Sequence, residues 1–359
     1  MNIQPFLEDI AYELPEDRIA SHPLPTREES RLLLVPPGER PFEDRIFSEI
    51  LNYLVPGDCL VFNNSRVFKA RLFLTRHDGK IFEILLVERL NETSWRAMVR
   101  NARRVKPHHR FRLEKWEASL QPDPEDPAYR IVHFSPSLDF EDLERLGEIP
   151  LPPYIVKKRE KEGHYLLTSE DEKRYQSVLA SLYGSVAAPT ASFHFSEALL
   201  EKLREKGIVI TALTLHVGPG TFRTISPADT EFQIHKEWIT IPEETIDVLK
   251  ETRKKGKRII AVGTTSTRAL ETMAQHFPED WQPYSGYTDL FIYGDFPFRV
   301  IDGLITNFHM PYSTLLLLVQ SFGGKERVKA AYKHALEKGY RFLSYGDAMF
   351  LWRKDGVTS

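Results

Sequence analysis

Cysteine is nearly absent from this chain of 359 residues, with Cys59 standing alone. That excludes an internal disulfide and any metal site built from several thiolates, and it suits a reducing compartment. Long apolar runs are missing as well. Stretches such as Leu315–Val319 fall far short of the roughly 20 residues that cross a bilayer. The opening MNIQPFLEDIAYELPEDRIA has no basic start followed by an apolar core, so no secretory signal is read there. A cytoplasmic chain without a membrane role is expected. Neither sign of charge dominates: 48 Lys and Arg face 51 Asp and Glu, a net −3, so any nucleic-acid surface must be a local patch. There is no Gly-x-Gly-x-x-Gly fingerprint, no Lys-Ser/Thr phosphate loop and no His-Glu-x-x-His, which removes the main sequence support for dinucleotide, P-loop and zinc-hydrolase classes. What is present, 42% hydrophobic residues and mixed charge, is a soluble globular composition long enough for about two domains.

The most informative stretch is TALTLHVGPGTFRT, Thr211–Thr224. Its β-branched first half predicts a buried strand that stops at His216, Val217, Gly218, Pro219 and Gly220. Two glycines around a proline allow backbone geometry closed to other residues and bring main-chain amides close to a ligand. Thr221 and Arg223 add a hydroxyl and a fixed charge. Taken alone, the stretch reads equally as a tight turn with an incidental histidine.

Around it the chain divides in two. From Val67 to about Phe134, short alternating runs such as ARLFLTR, IFEILLVERL, WRAMVRN and YRIVHFS follow one another with no helical stretch between them. They predict a small antiparallel barrel or sandwich, inserted over residues 66–153 of an α/β chain formed by 1–65 and 154–359. The insert carries Arg96, Arg100, Arg103, Arg104, Lys106, Arg110 and Arg112, with Trp95, Phe111 and Trp116 interleaved. Such a run is ordinarily a solvated face, but interleaved aromatics also suit stacking on bases beside phosphate contacts. The run KKREK at Lys157–Lys161 looks like a mobile loop.

After Asp171 strands alternate with helices: EKRYQSVLASLYG as a helix, SVAAPTASFHF as a loop, SEALLEKLREKG as a capped helix, then GIVITALTLHV as a strand. RIIAV and VIDGLITNF are further strands, Ile292 and Tyr293 belong to another, and STLLLLVQSFGG and KERVKAAYKHALEKG are helices. The pattern predicts a mainly parallel sheet with flanking helices. Strand RIIAV runs into Gly263, Thr264, Thr265, Ser266, Thr267 and Arg268. Hydroxyls and free amides at a helix start make an anion site, whereas ordinary capping needs only one of them. Asn307-Phe308-His309 ends another strand, and His235 and Glu237 lie two apart in FQIHKEW. Polar loops at strand ends converge on one crevice in such sheets. A metal reading of His216, His235 and His309 finds no ligand spacing to support it, so no metal is expected.

These strings, together with NNSRVFKARL, GEIPLPPYI, GSVAAPT, AVGTTSTRALE, LITNFHMPYSTLLLLV and YRFLSYGDAM, resemble the S-adenosylmethionine:tRNA ribosyltransferase-isomerase family of queuosine biosynthesis over nearly the whole chain. The resemblance implies an α/β main domain with a small inserted β-barrel. It implies transfer and isomerisation of the ribosyl group of the co-substrate S-adenosylmethionine onto 7-aminomethyl-7-deazaguanine at the tRNA wobble position, giving epoxyqueuosine, adenine and methionine. Partners would be tRNA and S-adenosylmethionine, and a monomer is expected. A sulfonium acidifies the adjacent C5′ hydrogens, and a histidine suits their removal. On this resemblance His216 or His309 is the base, or the acid that helps adenine leave, with Glu237 as substitute. Gly263–Thr267 holds the methionine carboxylate, Gly218, Gly220 and Thr221 face the nucleoside beside Asn307, and Asp347 takes the methionine ammonium or the modified base. Arg103, Arg104, Lys106 and Arg223 face tRNA. APTASFHF departs from the family's APTAGLHF, so Ser192 is expected to reshape that loop. A nucleoside transferase that never touches RNA, and a non-catalytic RNA-binding module, remain as alternative classes.

Overall fold

The computed structural model describes residues 4–164, 167–222, 224–226 and 234–354. Strands β1 (Arg31–Val35), β2 (Glu43–Ile46), β3 (Cys59–Asn63) and β4 (Ser65–Val67) precede β5 (Arg71–Arg76), β6 (Ile81–Arg89), β7 (Ser94–Val99), β8 (Arg110–Leu113), β9 (Trp116–Pro122) and β10 (Arg130–Ser135). Then follow β11 (Leu182–Ser185), β12 (Val209–Leu215), β13 (Glu237–Ile241), β14 (Ile259–Val262), β15 (Tyr284–Thr288), β16 (Gly303–Asn307) and β17 (Ala348–Trp352). The helices are α1 (Gln4–Leu7), α2 (Phe140–Leu146), α3 (Pro153–Glu162), α4 (Ser169–Arg174), α5 (Glu197–Glu205), α6 (Glu243–Lys254), α7 (Thr264–His276), α8 (Thr314–Gly323) and α9 (Lys325–Glu337).

Nine strands form one sheet in the order β15-β13-β12-β3-β14-β16-β17-β1-β2. Its centre, β12-β3-β14-β16, is parallel, as alternating strands and helices require. Antiparallel pairs flank it, β13 with β12 and β15 on one side and β16 with β17 on the other, so the sheet as a whole is mixed. Because successive side chains point to opposite faces, each central strand feeds two cores. Leu33, Val61, Leu213, Ala261 and Leu304 pack under residues of α6, α7, α8 and α9. Leu32, Leu60, Phe62, Val262 and Ile305 pack under α5 and the 3-10 turn at Phe47–Tyr53.

Six antiparallel strands close into a barrel in the order β10-β7-β6-β5-β8-β9. Trp95, Phe111 and Trp116 are at most 2% exposed and fill its core. Alternation turned them inward, so they are not the stacking surface that their spacing among arginines suggested. The chain leaves the main sheet after β3 and returns to it at β12, and the short parallel ribbon of β4 and β11 lies between.

Three elements differ from the sequence reading. The helix expected over EKRYQSVLASLYG is only α4. After it, Leu182–Ser185 pairs with β4, with a bulge at Gly184 (φ +148°), whose backbone geometry a helix cannot hold. Lys157–Lys161 belongs to α3, which Gly163 (φ +70°) ends and Arg159 anchors from inside. Ile292 and Tyr293 form no strand; the pairing falls on Tyr284–Thr288. No helix among the described residues is long and apolar enough to cross a membrane.

Candidate active site

Four parallel strands end at the same edge of the sheet. Ser65 follows β3, His216 follows β12, Gly263 follows β14 and His309 follows β16. Two cavities open there. A small one of about 80 Å³ is bounded by Thr190, Gly263, Thr264, Thr265, Asn307 and His309. A cleft of about 890 Å³ separates the sheet from the barrel, with His216, Gly218, Gly220, Glu237 and Arg268 on one wall and Glu88, Arg96 and Tyr129 on the other. Val217, Thr221 and Leu315 line both. The two cavities therefore adjoin, and one elongated ligand can occupy both.

His216 is held from behind. Its Nδ1 lies 3.1 Å from Ser65 Oγ, which in turn hydrogen-bonds Ser185 Oγ. Ser185 Oγ accepts from the Val217 amide at 2.8 Å. With Ser65 accepting from Nδ1–H, Nε2 is the basic nitrogen, and it has no hydrogen-bond partner among the described residues. Burial lowers the pKa of the ring from its ordinary 6.5. Gly184 is required next to it, since a Cβ there would sit 2.4 Å from Nδ1. Ser65, Gly184 and Ser185 belong to the strings NNSR and GSVAAPT, yet only the fold brings them to the imidazole.

The loop after His216 owes nothing to left-handed backbone. Neither Gly218 nor Gly220 has a positive φ, so the conformational argument for them does not hold. A side chain at Gly218 would meet nothing within 4 Å, whereas one at Gly220 would strike His235 at 2.5 Å. Gly218 is thus the glycine that leaves the cleft open. Thr221 sits in the 3-10 turn Pro219–Phe222. Arg223 lies outside the described residues.

At the small cavity, Gly263 (φ +95°) starts α7 with no side-chain cap. The first-turn amides there, together with the helix dipole, favour an anion. The buried Thr265 hydroxyl has no partner among the described residues. The Ser266 and Thr267 side chains do not line this cavity: both are fully buried and bond back to the carbonyls of Val262 and Gly263 at 3.0 and 3.1 Å. Asn307 is committed to scaffolding, accepting from Thr190 Oγ1 at 3.2 Å and donating to Leu343 O at 3.0 Å and His194 Nε2 at 3.2 Å. His309 Nε2 lies 2.9 Å from Thr306 Oγ1, and burial pushes its pKa down to about 3. It is a neutral hydrogen-bonding group and a poor base.

Glu237 is not a spare base either. One carboxylate oxygen accepts from the Gly218 amide at 3.0 Å and the other pairs with Arg268. Asp347 reaches neither cavity. It is 1% exposed and accepts from the backbone amides of Arg31 and Arg341 at 2.9 and 2.7 Å, which corrects its expected role in binding substrate. Ser192 turns inward to the Pro189 carbonyl at 2.6 Å and lines neither cavity. Arg103, Arg104 and Lys106 are exposed in the β7–β8 connection and lie outside the cleft. Arg96, by contrast, is neutralised by Asp123, Glu88 and Glu125. The exposed aromatics of the cleft are Trp238 and Tyr287, facing each other across β13 and β15 with ring centroids 5.0 Å apart. Sequence spacing shows no sign of them, because the pairing partner of β13 is not recognisable from it. Among the described residues the cluster with metal-ligand proximity is His22, Glu162 and His164 at the surface. It includes none of His216, His235 and His309.

Comparison with known proteins places the chain in a family. The sequence profile described as queuosine biosynthesis protein matches residues 7–351. An S-adenosylmethionine:tRNA ribosyltransferase-isomerase of Halothermothrix orenii is 44% identical over 96% of this chain and 99% of its own. One from a Thermoanaerobacter species is 46% identical over 95% and 98%. The crystal structure of S-adenosylmethionine tRNA ribosyltransferase from Thermotoga maritima superposes with a TM-score of 0.55 at 37% identity, covering 95% of this chain and 99% of that one. With a matching profile along almost its entire length and relatives above 40% identity, the chain belongs to the queuosine biosynthesis protein family.

Proposed function

We propose that this chain transfers and isomerises the ribosyl group of S-adenosylmethionine onto 7-aminomethyl-7-deazaguanine at the tRNA wobble position, yielding epoxyqueuosine-tRNA, adenine and methionine. Relatives that match this chain end to end carry the name of that activity. The observation that carries the reading is the junction of the two cavities at Val217, Thr221 and Leu315. S-adenosylmethionine is long and has two dissimilar ends. Its carboxylate suits the uncapped start of α7 and the Thr265 hydroxyl. Its nucleoside suits the cleft, where Gly218 leaves space.

His216 then stands where the sulfonium-activated C5′ proton would be taken. Its Nδ1 is tied to Ser65 and its Nε2 has no partner among the described residues, the arrangement a general base needs. His309, neutral and bonded to Thr306, orients the chain of the substrate. The same reading takes residues 66–153 as an inserted domain that closes the cleft from the far side and adds Arg103, Arg104 and Lys106 to the tRNA-facing surface. The enzyme acts as a cytoplasmic monomer and uses no metal.

Incubation with S-adenosylmethionine and tRNA bearing the aminomethyl-deazaguanine tests the reading by release of adenine. Adenine is expected only when both substrates are present. Release without RNA would favour a nucleoside transferase, and RNA binding without release a binding module.

A further inference from the structure

Arg268 lies on α7 at the floor of the cleft and is only 8% exposed. Its Nε donates to the Leu290 carbonyl at 3.1 Å, and Nη1 pairs with Glu237. Nη2 is buried and has no partner among the described residues. A buried guanidinium nitrogen left without an acceptor is costly and rarely kept without a reason. The rest of the side chain is clamped, so this nitrogen cannot swing away to find water. Glu237 is fixed too, through the Gly218 amide. Beneath the cleft floor, one donor without a partner among the described residues therefore lies beside one carboxylate, in a clamped pair of zero net charge.

That pair selects among ligand groups. A free carboxylate or phosphate would gain from Arg268 but meet Glu237 alongside it. A group that couples an acceptor oxygen to a neighbouring cation matches both. Arginine commonly reads guanine with two nitrogens, on O6 and N7. In a 7-deazaguanine position 7 is carbon and accepts nothing, so O6 is the acceptor left on that edge, and one free guanidinium nitrogen suffices. The aminomethyl group on the same edge carries the cation. Adenine offers neither an oxo group nor a cationic neighbour.

We propose that Arg268 and Glu237 together read the 7-aminomethyl-7-deazaguanine base, Arg268 Nη2 donating to its 6-oxo group while the Glu237 carboxylate faces its aminomethyl ammonium. The proposal rests on the activity put forward above and adds the residues that select the accepting base. It makes Arg268 a specificity residue that touches substrate.

The test pairs a change in the enzyme with a change in the ligand. One RNA stem-loop carries 7-aminomethyl-7-deazaguanine at the wobble position, and a second carries the analogue lacking the 6-oxo group. Adenine release is measured for wild type and for Arg268→Lys, which keeps a cation beside Glu237 but loses the second nitrogen of the fork. Wild type is expected to lose at least about tenfold in kcat/KM on the analogue, or about 1.4 kcal/mol. Arg268→Lys is expected to lose a similar factor on the natural stem-loop and little more on the analogue, because the two changes remove the same hydrogen bond. KM for S-adenosylmethionine should stay unchanged. Equal wild-type rates on both stem-loops would overturn the proposal, as would losses that multiply in full. So would a raised KM for S-adenosylmethionine with stem-loop discrimination intact, which would assign Arg268 to adenine instead. If Arg268→Lys does not fold, the wild-type comparison alone still decides whether the oxo group is read. No adenine from wild type on the natural stem-loop would instead overturn the parent activity, an outcome distinct from loss of discrimination.

Discussion

At the scale of single residues, the two histidines that the sequence could not separate are separated by their surroundings. Both end parallel strands of the same sheet, but His216 faces the large cleft and His309 the small cavity. A general base must be unprotonated to act, so kcat/KM falls as pH drops through its pKa in the free enzyme. Burial lowers the pKa of His216 below 6.5, while that of His309 is pushed down to about 3. If His216 is the base, the acid limb is displaced below pH 6.5. We expect His216→Asn to cut adenine release at saturating substrates by at least about tenfold, or 1.4 kcal/mol, and to abolish that limb. His309→Asn should keep the limb and act chiefly on KM for S-adenosylmethionine. A pH profile of His216→Asn with the limb unmoved would exclude it as the base. Ser65→Ala offers a milder version of the same experiment, because it releases Nδ1 without removing the ring.

At the scale of elements, α3 and α4 are joined through an ion pair that no local pattern announces. Arg159 and Asp171 have fully buried side chains and meet in two bonds of 2.7 and 2.8 Å. Arg159 also donates to the Ser21 carbonyl, and Tyr345 donates to Asp171 at 2.9 Å. Burial alone would raise the carboxyl of Asp171, but the hydrogen bonds from Arg159 and Thr168 outweigh it and hold the pKa below 3.8. A depressed carboxylate stabilises the fold above its unfolded pKa and loses that contribution as pH falls through the folded one, so the loss falls below pH 3.8. Asp171→Ala should destabilise by about 3–5 kcal/mol by removing the carboxylate that balances the buried Arg159 guanidinium. Urea unfolding at neutral pH measures this, and a loss under about 1 kcal/mol would mean that water reaches Arg159. These elements also show where the sequence was legible. Helices α5, α7, α8 and α9 and the barrel strands could be read because apolar period and turn residues agree locally. In KKREK and RYQSVLASLYG the decisive partner is far along the chain: Asp171 and Ser21 for Arg159, and β4 for Leu182–Ser185. The candidate site divides in the same way. Strand-end loops announced Gly263 and His216, while Ser65, Ser185 and Arg268 acquire roles only when separate strands and helices meet.

At the scale of the whole molecule, the barrel and the sheet present RNA with two surfaces of different physics. The cleft between them is lined by Glu88, Glu125, Asp126 and Glu237 as well as by Arg89, Arg96, Lys236 and Arg268. Among the described residues it offers no excess of positive charge for phosphates. Its exposed aromatics, Trp238 and Tyr287, are 40% and 51% accessible, and Tyr287 bonds Glu88 across the cleft at 3.2 Å. The basic run lies elsewhere. β7 enters the cleft wall at Trp95 and Arg96 and ends at Val99, roughly 10–13 Å further on at the rise of a strand, and Arg103, Arg104 and Lys106 follow that far end. Counterion release and stacking then belong to separate places and can be separated by salt. Replacing Arg103, Arg104 and Lys106 by Ala should flatten the log–log salt dependence of tRNA binding by about 0.7–0.9 for each phosphate no longer neutralised. The rate at saturating RNA should be untouched, because none of the three lines the cleft. Trp238→Ala should do the reverse, weakening binding by about 1–3 kcal/mol through removal of a base stack while leaving the slope in place. Salt titrations of the two variants against wild type read both quantities at once. A slope unchanged in the triple variant would remove the barrel run from RNA binding, and a slope that falls in Trp238→Ala would mean that the cleft lip binds phosphates after all.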